Sequence, residues 1–98
     1  MKKNKLAETI PFNDTKLNAG PFYNNERFKA VTIAMKSGQI LPDHKTAVEA
    51  LLYCVEGEGL FSMGEESITL SAGEYMTIPA EKIHKLEAVT QSRFILVR

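Results

Sequence analysis

The chain has 98 residues, which is the size of one domain with a single hydrophobic core. Hydrophobic residues make up 44% of it and charged residues 24%, and this composition excludes wholesale disorder. The 12 basic and 12 acidic residues give a formal net charge of zero, so nothing indicates a nucleic-acid or anionic-membrane partner. We expect a single domain over residues 1–98 that tolerates self-association, because no net charge opposes it.

The cysteine content and the N-terminus bear on the compartment. The only cysteine is Cys54, so no intrachain disulfide can form and a reducing compartment is the default. The basic start of the chain resembles a signal peptide, but the segment 6–11 that follows is too short and too polar for its apolar part. No apolar stretch approaches the length of a membrane span. We therefore expect a cytoplasmic protein.

Taken in chain order, short apolar runs alternate with frequent turn signals, a rhythm typical of an all-β sandwich or barrel. Leu6–Phe12 is the first predicted strand, and the polar segment 15–27 after it is left open between a loop at the rim and a further strand. A helix over His44–Tyr53 is disfavoured, because the segment continues into an apolar, aromatic run and a Gly-x-Gly turn. Eight further strands are predicted: Phe28–Met35, Gly38–His44, Glu49–Val55, Leu60–Met63, Ser67–Leu70, Glu74–Ile78, His84–Val89 and Arg93–Val97.

Two segments of the chain resemble the two sequence motifs of the cupin family. The first motif reads Gly, five residues, His-x-His, three or four residues, Glu, six residues, Gly. Gly38 is followed after five residues by His44, and the Val-Glu-Gly-Glu-Gly of residues 55–59 closes the segment in the same way. The second motif reads Gly, five residues, Pro-x-Gly, two residues, His, and Gly73, Pro79 and His84 match it. The resemblance covers residues 38–59 and 73–84 and is to the small single-domain cupins.

The resemblance implies an all-β fold, a cupin double-stranded β-helix (a jelly-roll-like barrel) of about nine short strands. It also implies which positions would hold the family's metal. Counting back from the closing turn, the family's second His falls on Thr46 and its Glu on Ala50. The glycine between Pro79 and His84 is replaced by Glu81. Of the family's four ligand positions, only His44 and His84 therefore carry good ligands.

Strand alternation predicts which side chains share a cavity. Residues of even number on the strand after His44 face the same side as that histidine. Glu49 is odd and points away unless a β-bulge turns it inward. The methionines Met35, Met63 and Met76 are predicted to fill the core and make the pocket apolar. The predicted ligand pocket comprises His44, Thr46, Ala50, Leu52, Met76 and His84.

A divalent metal at His44 and His84 is one possibility that the sequence leaves open, and an empty or water-filled pair of interior histidines is the other. A stable site needs three or four protein ligands, so two histidines need help from water, from Glu49 or from another donor. Neutral imidazole suits zinc, nickel, iron or copper, and nothing in the sequence chooses among them.

The strand Leu51–Val55 is apolar on both faces, whereas a strand with one solvated face alternates. A second copy of the chain is the simplest cover, and the resemblance also implies a dimer. The alternative is that Leu6–Phe12 folds over that face. Cys54 on this strand is interpreted as a small buried apolar residue, because its neighbours favour neither exposure nor a thiolate.

Three functions follow from these observations. The first is a binding module that takes a small organic ligand in its barrel, with or without a metal. The second is a metal-dependent enzyme, an oxygenase or isomerase acting on a small organic acid, ketone or sugar derivative. The third is a stand-alone homologue of a regulator's sensor domain, which lacks DNA-binding helices of its own. One fold hosts many chemistries, so the resemblance does not choose among them.

Overall fold

Nine β-strands and one helical turn make up the computed structural model of the chain, which describes residues 1–98. The short helix α1 comprises Leu6–Thr9. The strands are β1 (Asn18–Asn24), β2 (Lys29–Met35), β3 (Ile40–His44), β4 (Ala50–Glu56), β5 (Glu58–Met63), β6 (Glu66–Ser71), β7 (Tyr75–Ile78), β8 (His84–Ala88) and β9 (Ser92–Val97). None of the helical structure is long and apolar enough to cross a membrane.

The strands form two antiparallel sheets that face each other. One has five strands in the order β1-β2-β9-β4-β7, and the other has four in the order β3-β8-β5-β6. Non-consecutive strands lie side by side in both sheets, as a jelly-roll topology requires. This architecture confirms the predicted all-β class and the count of nine strands. Pro42 lies on β3, an edge strand, where its missing N–H is tolerated.

The core lies between the sheets and is built from the alternate residues of each strand. On β4, Leu52 and Cys54 point into it, and on β9 Phe94 and Leu96 do so. The sulfur of Cys54 is buried, and burial raises the pKa of its thiol to about 11, which agrees with an inert apolar role. The twelve buried members of the core are Ile33, Met35, Ala50, Leu52, Cys54, Phe61, Leu70, Ile78, Leu86, Ala88, Phe94 and Leu96.

The predicted strand over Leu6–Phe12 is wrong. Residues 6–9 form a single helical turn and Pro11, which has no N–H to give to a sheet, follows at once. The segment that the sequence left open, 15–27, contains the ninth strand instead, because β1 pairs with β2 along its length. The strand count was therefore right, but one of its members was misplaced.

The N-terminal segment, residues 6–12, lies on the outer face of the five-stranded sheet and is held there by Arg93. The Arg93 guanidinium is 2% exposed and donates hydrogen bonds to the carbonyls of Leu6 (3.3 Å) and Ile10 (2.9 Å). It also lies over the ring of Phe12, 5.0 Å from its centroid. The backbone of the segment thus bonds within its own helical turn and to the Arg93 side chain instead of to a neighbouring strand.

The N-terminal segment was the alternative cover for the apolar outer face of Leu51–Val55. It covers only part of the five-stranded sheet. The segment buries Thr32 and Arg93 on β2 and β9. Leu51 on the outer face of β4 stays 36% exposed, and Tyr75 on β7 is 70% exposed. The apolar character of the outer face near Leu51 is therefore not accounted for by the N-terminal segment.

Candidate functional site

His44 and His84 lie side by side on neighbouring strands at one end of the sandwich. The register pairs them directly across β3 and β8. Their Nε2 atoms are 3.1 Å apart, and their ring centroids are 4.1 Å apart with the rings edge to face. The His84 ring is 3% exposed, while His44 is half-buried. Spacing along the chain is 40 residues, so only the strand pairing brings the two rings together.

The backbone fixes the hydrogens on both imidazole rings. Nδ1 of His84 lies 3.0 Å from the carbonyl oxygen of Lys82, and Nδ1 of His44 lies 3.0 Å from that of Pro42. A carbonyl oxygen only accepts, so each Nδ1 carries a hydrogen and donates it. In a neutral ring with its hydrogen on Nδ1, the Nε2 atom carries a lone pair and no hydrogen. The Nε2 lone pairs of the two rings therefore face each other. The two lone pairs repel each other, and a metal ion that binds both nitrogens would relieve this repulsion.

Burial lowers the pKa of His84 below its ordinary value of 6.5, and the neighbouring His44 lowers it further. The hydrogen bond from Nδ1 to the Lys82 carbonyl favours the charged ring and opposes both effects. Protonation of His84 is therefore opposed both by its burial and by the facing ring of His44.

The lowered pKa of His84 predicts that the free energy of unfolding falls on mild acidification. The pKa of His84 is lower in the folded state than the ordinary 6.5 of an unfolded imidazole, so the unfolded state binds more protons as the pH falls below that value. The stabilisation is complete above pH 6.5 and is lost as the pH falls through the folded pKa. Urea unfolding at pH 7, 6 and 5 should show a falling free energy of unfolding in the wild type and a smaller fall in His84→Gln. Equal falls in both proteins would contradict this assignment.

One row of side chains runs across the inner face of the four-stranded sheet through the histidine pair. The register places Met63 opposite His84 on β5, and Glu66 opposite Met63 on β6. Phe61, two residues before Met63, stacks on the His84 ring with centroids 5.4 Å apart. The row thus crosses the whole sheet, from His44 on the β3 edge to Glu66 on the β6 edge.

Besides a wide surface depression lined mostly by polar residues, which includes Met63 and Glu66, two cavities adjoin this row and differ greatly in size. The first, about 10 Å³, lies between the histidines and core residues such as Leu52. This is at most the room of one water molecule. The second is an apolar groove of about 400 Å³ between the edge strands β6 and β7, a volume within the range of small-molecule sites. Its lining residues, here called the groove, are Phe61, Met63, Glu66, Ser67, Ile68 and Met76.

The structure divides the predicted pocket residues among three places. His44, His84 and Leu52 line the small cavity, and Met76 lines the groove. Thr46 and Ala50 are buried but line neither; Thr46 donates its hydroxyl to the Val48 carbonyl (2.7 Å). The six residues therefore do not form one pocket, because core side chains fill the space between the sheets below the histidines.

Glu49 is exposed and does not turn inward, so the bulge that would make it a third ligand is not formed. No cluster of three His, Cys, Asp or Glu side chains lies close enough to hold a metal ion. The two Nε2 atoms, with both Nδ1 atoms tied to carbonyls, have the tautomer and orientation that a metal requires. The residues therefore fit two coordination positions of a metal and leave the others to water or a bound ligand.

The sequence reasoning missed four groove residues: Phe61, Glu66, Ser67 and Ile68. A signal for them exists in the tight hairpin at Gly64, which fixes the register of β5 against β6. Counting from buried Leu70 in steps of two along β6 puts Ile68 and Glu66 on the inner face.

Glu81 has a left-handed backbone, with φ of 64°, at the position where the cupin motif has glycine. Its N–H donates to the Thr46 carbonyl (2.8 Å), and its carboxylate lies 3.4 Å from the Lys45 ammonium at the exposed rim. The turn before β8 therefore has a backbone conformation that favours glycine, and a residue with a Cβ, such as Glu81, is strained in it.

Relieving this strain should stabilise the protein. We expect Glu81→Gly to raise the free energy of unfolding by about 1 kcal/mol, because the exposed ion pair that it loses contributes little. Lys82→Gly is the matched control, since its backbone needs no positive φ and added flexibility should destabilise it. Chemical denaturation of the two variants measures the difference. A Glu81→Gly protein no more stable than the wild type would show that the turn is unstrained.

The comparisons with known proteins agree with this fold. Residues 31–97, more than half of the chain, match the family model described as Cupin domain. An RmlC-like cupin from Desulfovibrio desulfuricans is 30% identical with a TM-score of 0.86, over 99% of this chain and 94% of that one. A cupin superfamily protein from Desulfitobacterium hafniense is 16% identical with a TM-score of 0.87, over 98% of this chain and 88% of that one. The comparison with curated proteins gives no match.

The chain is a member of the cupin family and has the fold of a small cupin domain. The resemblance of the sequence motifs is thereby confirmed. A structure of a conserved protein of unknown function from Streptococcus pyogenes, 18% identical with a TM-score of 0.85 over 98% of this chain and 84% of that one, shares the fold.

Proposed function

We propose that the chain is a small-molecule-binding cupin that takes an apolar organic ligand in the groove beside the histidine pair. The observation that carries the proposal is the apolar groove of about 400 Å³ that reaches the His84 row through Met63. Ile68 is 53% exposed on the inner face of β6, although an apolar side chain in that position gains from being covered. A ligand seated between β6 and β7 would cover it.

The flexible lining favours binding over a purely structural role for the groove. Two of the lining side chains are methionines, Met63 and Met76, which adapt to ligands of irregular shape. The rigid floor is Phe61, which is held by its stack on His84. A ligand that contacts Phe61 would therefore lie one side chain away from the His84 ring.

A direct test uses 2-phenylethanol, a small neutral probe, and isothermal titration calorimetry. Ile68→Gln removes an apolar wall and should weaken binding, whereas Ile40→Gln changes an isoleucine of similar exposure on another edge strand that lies away from the groove. We expect binding by the wild type and Ile40→Gln and at least a fivefold weaker affinity in Ile68→Gln. Binding that is equal in all three, or absent from the wild type at millimolar probe, would overturn the proposal.

As a finer part of the proposal, His44 and His84 supply two nitrogens to a divalent transition metal when one is available. The lone pairs that face each other at 3.1 Å, with both Nδ1 atoms engaged by carbonyls, support this. A metal held there would supply Lewis acidity next to Phe61 and Met63, the two groove residues that adjoin the pair. Because the site has only two protein ligands, we expect the protein to retain the metal weakly. Weak retention of the metal favours a binding module over the metal-dependent enzyme.

Elemental analysis of untagged protein purified without chelator tests the metal. We expect a substoichiometric content of zinc, nickel, iron or copper that disappears in both His44→Ala and His84→Ala. A near-stoichiometric metal lost in both variants would instead favour the metalloenzyme. A metal content unchanged by either variant would contradict binding at the pair.

We also propose that a second copy of the chain covers the outer face of the Leu51–Val55 strand. Tyr53 pairs with Tyr75 across β4 and β7 on this face, and Tyr75 is 70% exposed. The zero net charge of the chain offers no long-range repulsion to such a contact. Light scattering at micromolar concentration should give a dimer that Leu51→Lys dissociates and the control Ile40→Lys does not. A monomer in the wild type would overturn this part of the proposal.

A further inference from the structure

We propose that the groove selects small amphipathic amines, with the ammonium group at Glu66 and the apolar body on the lining between β6 and β7. This inference rests on the proposed function and names the class of ligand. It follows from the kinds of polar group that the groove and the histidine row offer to a bound molecule.

Glu66 is the only charged residue that lines the groove. It lies on the inner face of β6, in alternation with Ile68 and buried Leu70, and it faces Met63 across the hairpin. A carboxylate beside an apolar wall is a recognition element for a cation attached to an apolar body.

The Glu66 carboxylate is free to bind a cation, because it has no ion-pair partner within 4.0 Å in the structure. Lys82 and Lys85 line a wider surface depression that also contains Glu66, but neither of them lines the groove. Lys85 follows inward-facing His84 on β8, so its side chain leaves the opposite face of the sheet. The charge presented to the groove is therefore negative.

The histidine pair does not offer a free donor to an anion. Both Nδ1 hydrogens are given to the carbonyls of Pro42 and Lys82, and the two Nε2 atoms face each other. A ligand with a carboxylate or phosphate would therefore enter a groove with no cationic side chain and no free imidazole N–H. A ligand with an ammonium group would find the Glu66 carboxylate, which can accept hydrogen bonds from it.

Three probes with one aromatic body separate charge from apolar contact: 2-phenylethylamine, 2-phenylethanol and 3-phenylpropionate. Calorimetry at pH 7 and low salt is done on the wild type, on Glu66→Gln and on Glu65→Gln. Glu65 is the matched control, because it is the neighbouring carboxylate of the same hairpin and does not line the groove. We expect the wild type and Glu65→Gln to bind the amine about fivefold more tightly than the alcohol, with the propionate weakest.

In Glu66→Gln the preference for the amine should fall to less than twofold, and in the wild type added salt should reduce it. Equal binding of amine and alcohol by the wild type, or a preference for the propionate, would overturn the amine selectivity and leave the apolar binding function standing. Loss of the preference in Glu65→Gln as well as Glu66→Gln would place its origin outside the groove and would also overturn the inference. Failure of all three probes to bind would overturn it together with the proposed function.

Discussion

Gly57→Ala is expected to destabilise the protein by about 3–5 kcal/mol, a large part of the stability of a domain of this size. Gly57 forms the turn between β4 and β5 with φ of 80°, a left-handed conformation that a Cβ penalises. The added Cβ would also collide with the carbonyl oxygen of Gln91 and lie 2.7 Å from Ser92 Cα. Both obstacles are backbone or close to it, so a side-chain rotation cannot relieve them.

Gly73→Ala separates the two causes. Gly73 has nearly the same backbone, with φ of 87°, but nothing lies within 4 Å of the position its Cβ would take. We expect this control to lose only about 1–2 kcal/mol, the cost of the conformation itself. Urea unfolding of the two variants measures the difference. Losses equal to within 0.5 kcal/mol, a margin comparable to the scatter of independent substitutions, would show that the crowding at Gly57 is relieved by small shifts.

Arg93→Met is expected to cost about 2–4 kcal/mol and to release the N-terminal segment from the sheet. The guanidinium donates to the carbonyls of Leu6 and Ile10 and to the Thr32 hydroxyl (3.2 Å). Its Nε has no hydrogen-bond partner, and the Glu56 carboxylate 3.6 Å away is half exposed. Methionine keeps much of the apolar volume but leaves all three acceptors without their donor.

Hydrogen exchange together with denaturation tests this role. The amides of Glu8, Thr9 and Ile10 bond within the helical turn and should lose their protection in Arg93→Met. Arg27→Met is the control, because Arg27 is exposed and lies outside the segment. Unchanged protection of these amides, with an unchanged free energy of unfolding, would show that packing alone holds the segment.

The sandwich was predictable because turn chemistry divides the sequence into short alternating runs. On β4 the buried residues are those of even number, as strand parity predicts, and on β9 the same alternation holds from Phe94 onward. The N-terminal segment was not predictable, because its conformation depends on Arg93, which is more than 80 residues away and buried under it. Leu6–Phe12 has the composition of a strand, but its amides bond within the helical turn and two of its carbonyls accept from that side chain.

The histidine pair was predictable in position, and the shape of the pocket was not. The two motifs and strand parity place His44 and His84 on one inner face, and the register of β3 and β8 sets them opposite each other. The volume beside them depends on how the sheets pack. Core side chains such as Leu52 and Ile78 leave about 10 Å³ below the rings, and the usable space opens at the β6–β7 edge instead. Side-chain packing between two sheets is a long-range property that spacing along the chain does not encode.

The central claim, that an apolar ligand seats in the groove next to the histidine pair, is tested most directly by methionine-methyl NMR. Met63 and Met76 line the groove, whereas Met35 is fully buried in the core and serves as an internal control in the same sample. Titration of methyl-labelled protein with 2-phenylethanol should shift the Met63 and Met76 signals in a saturable manner and leave Met35 unmoved. Signals of Met63 and Met76 that stay in place while the probe binds, or a shift of all three by the same amount, would contradict the account.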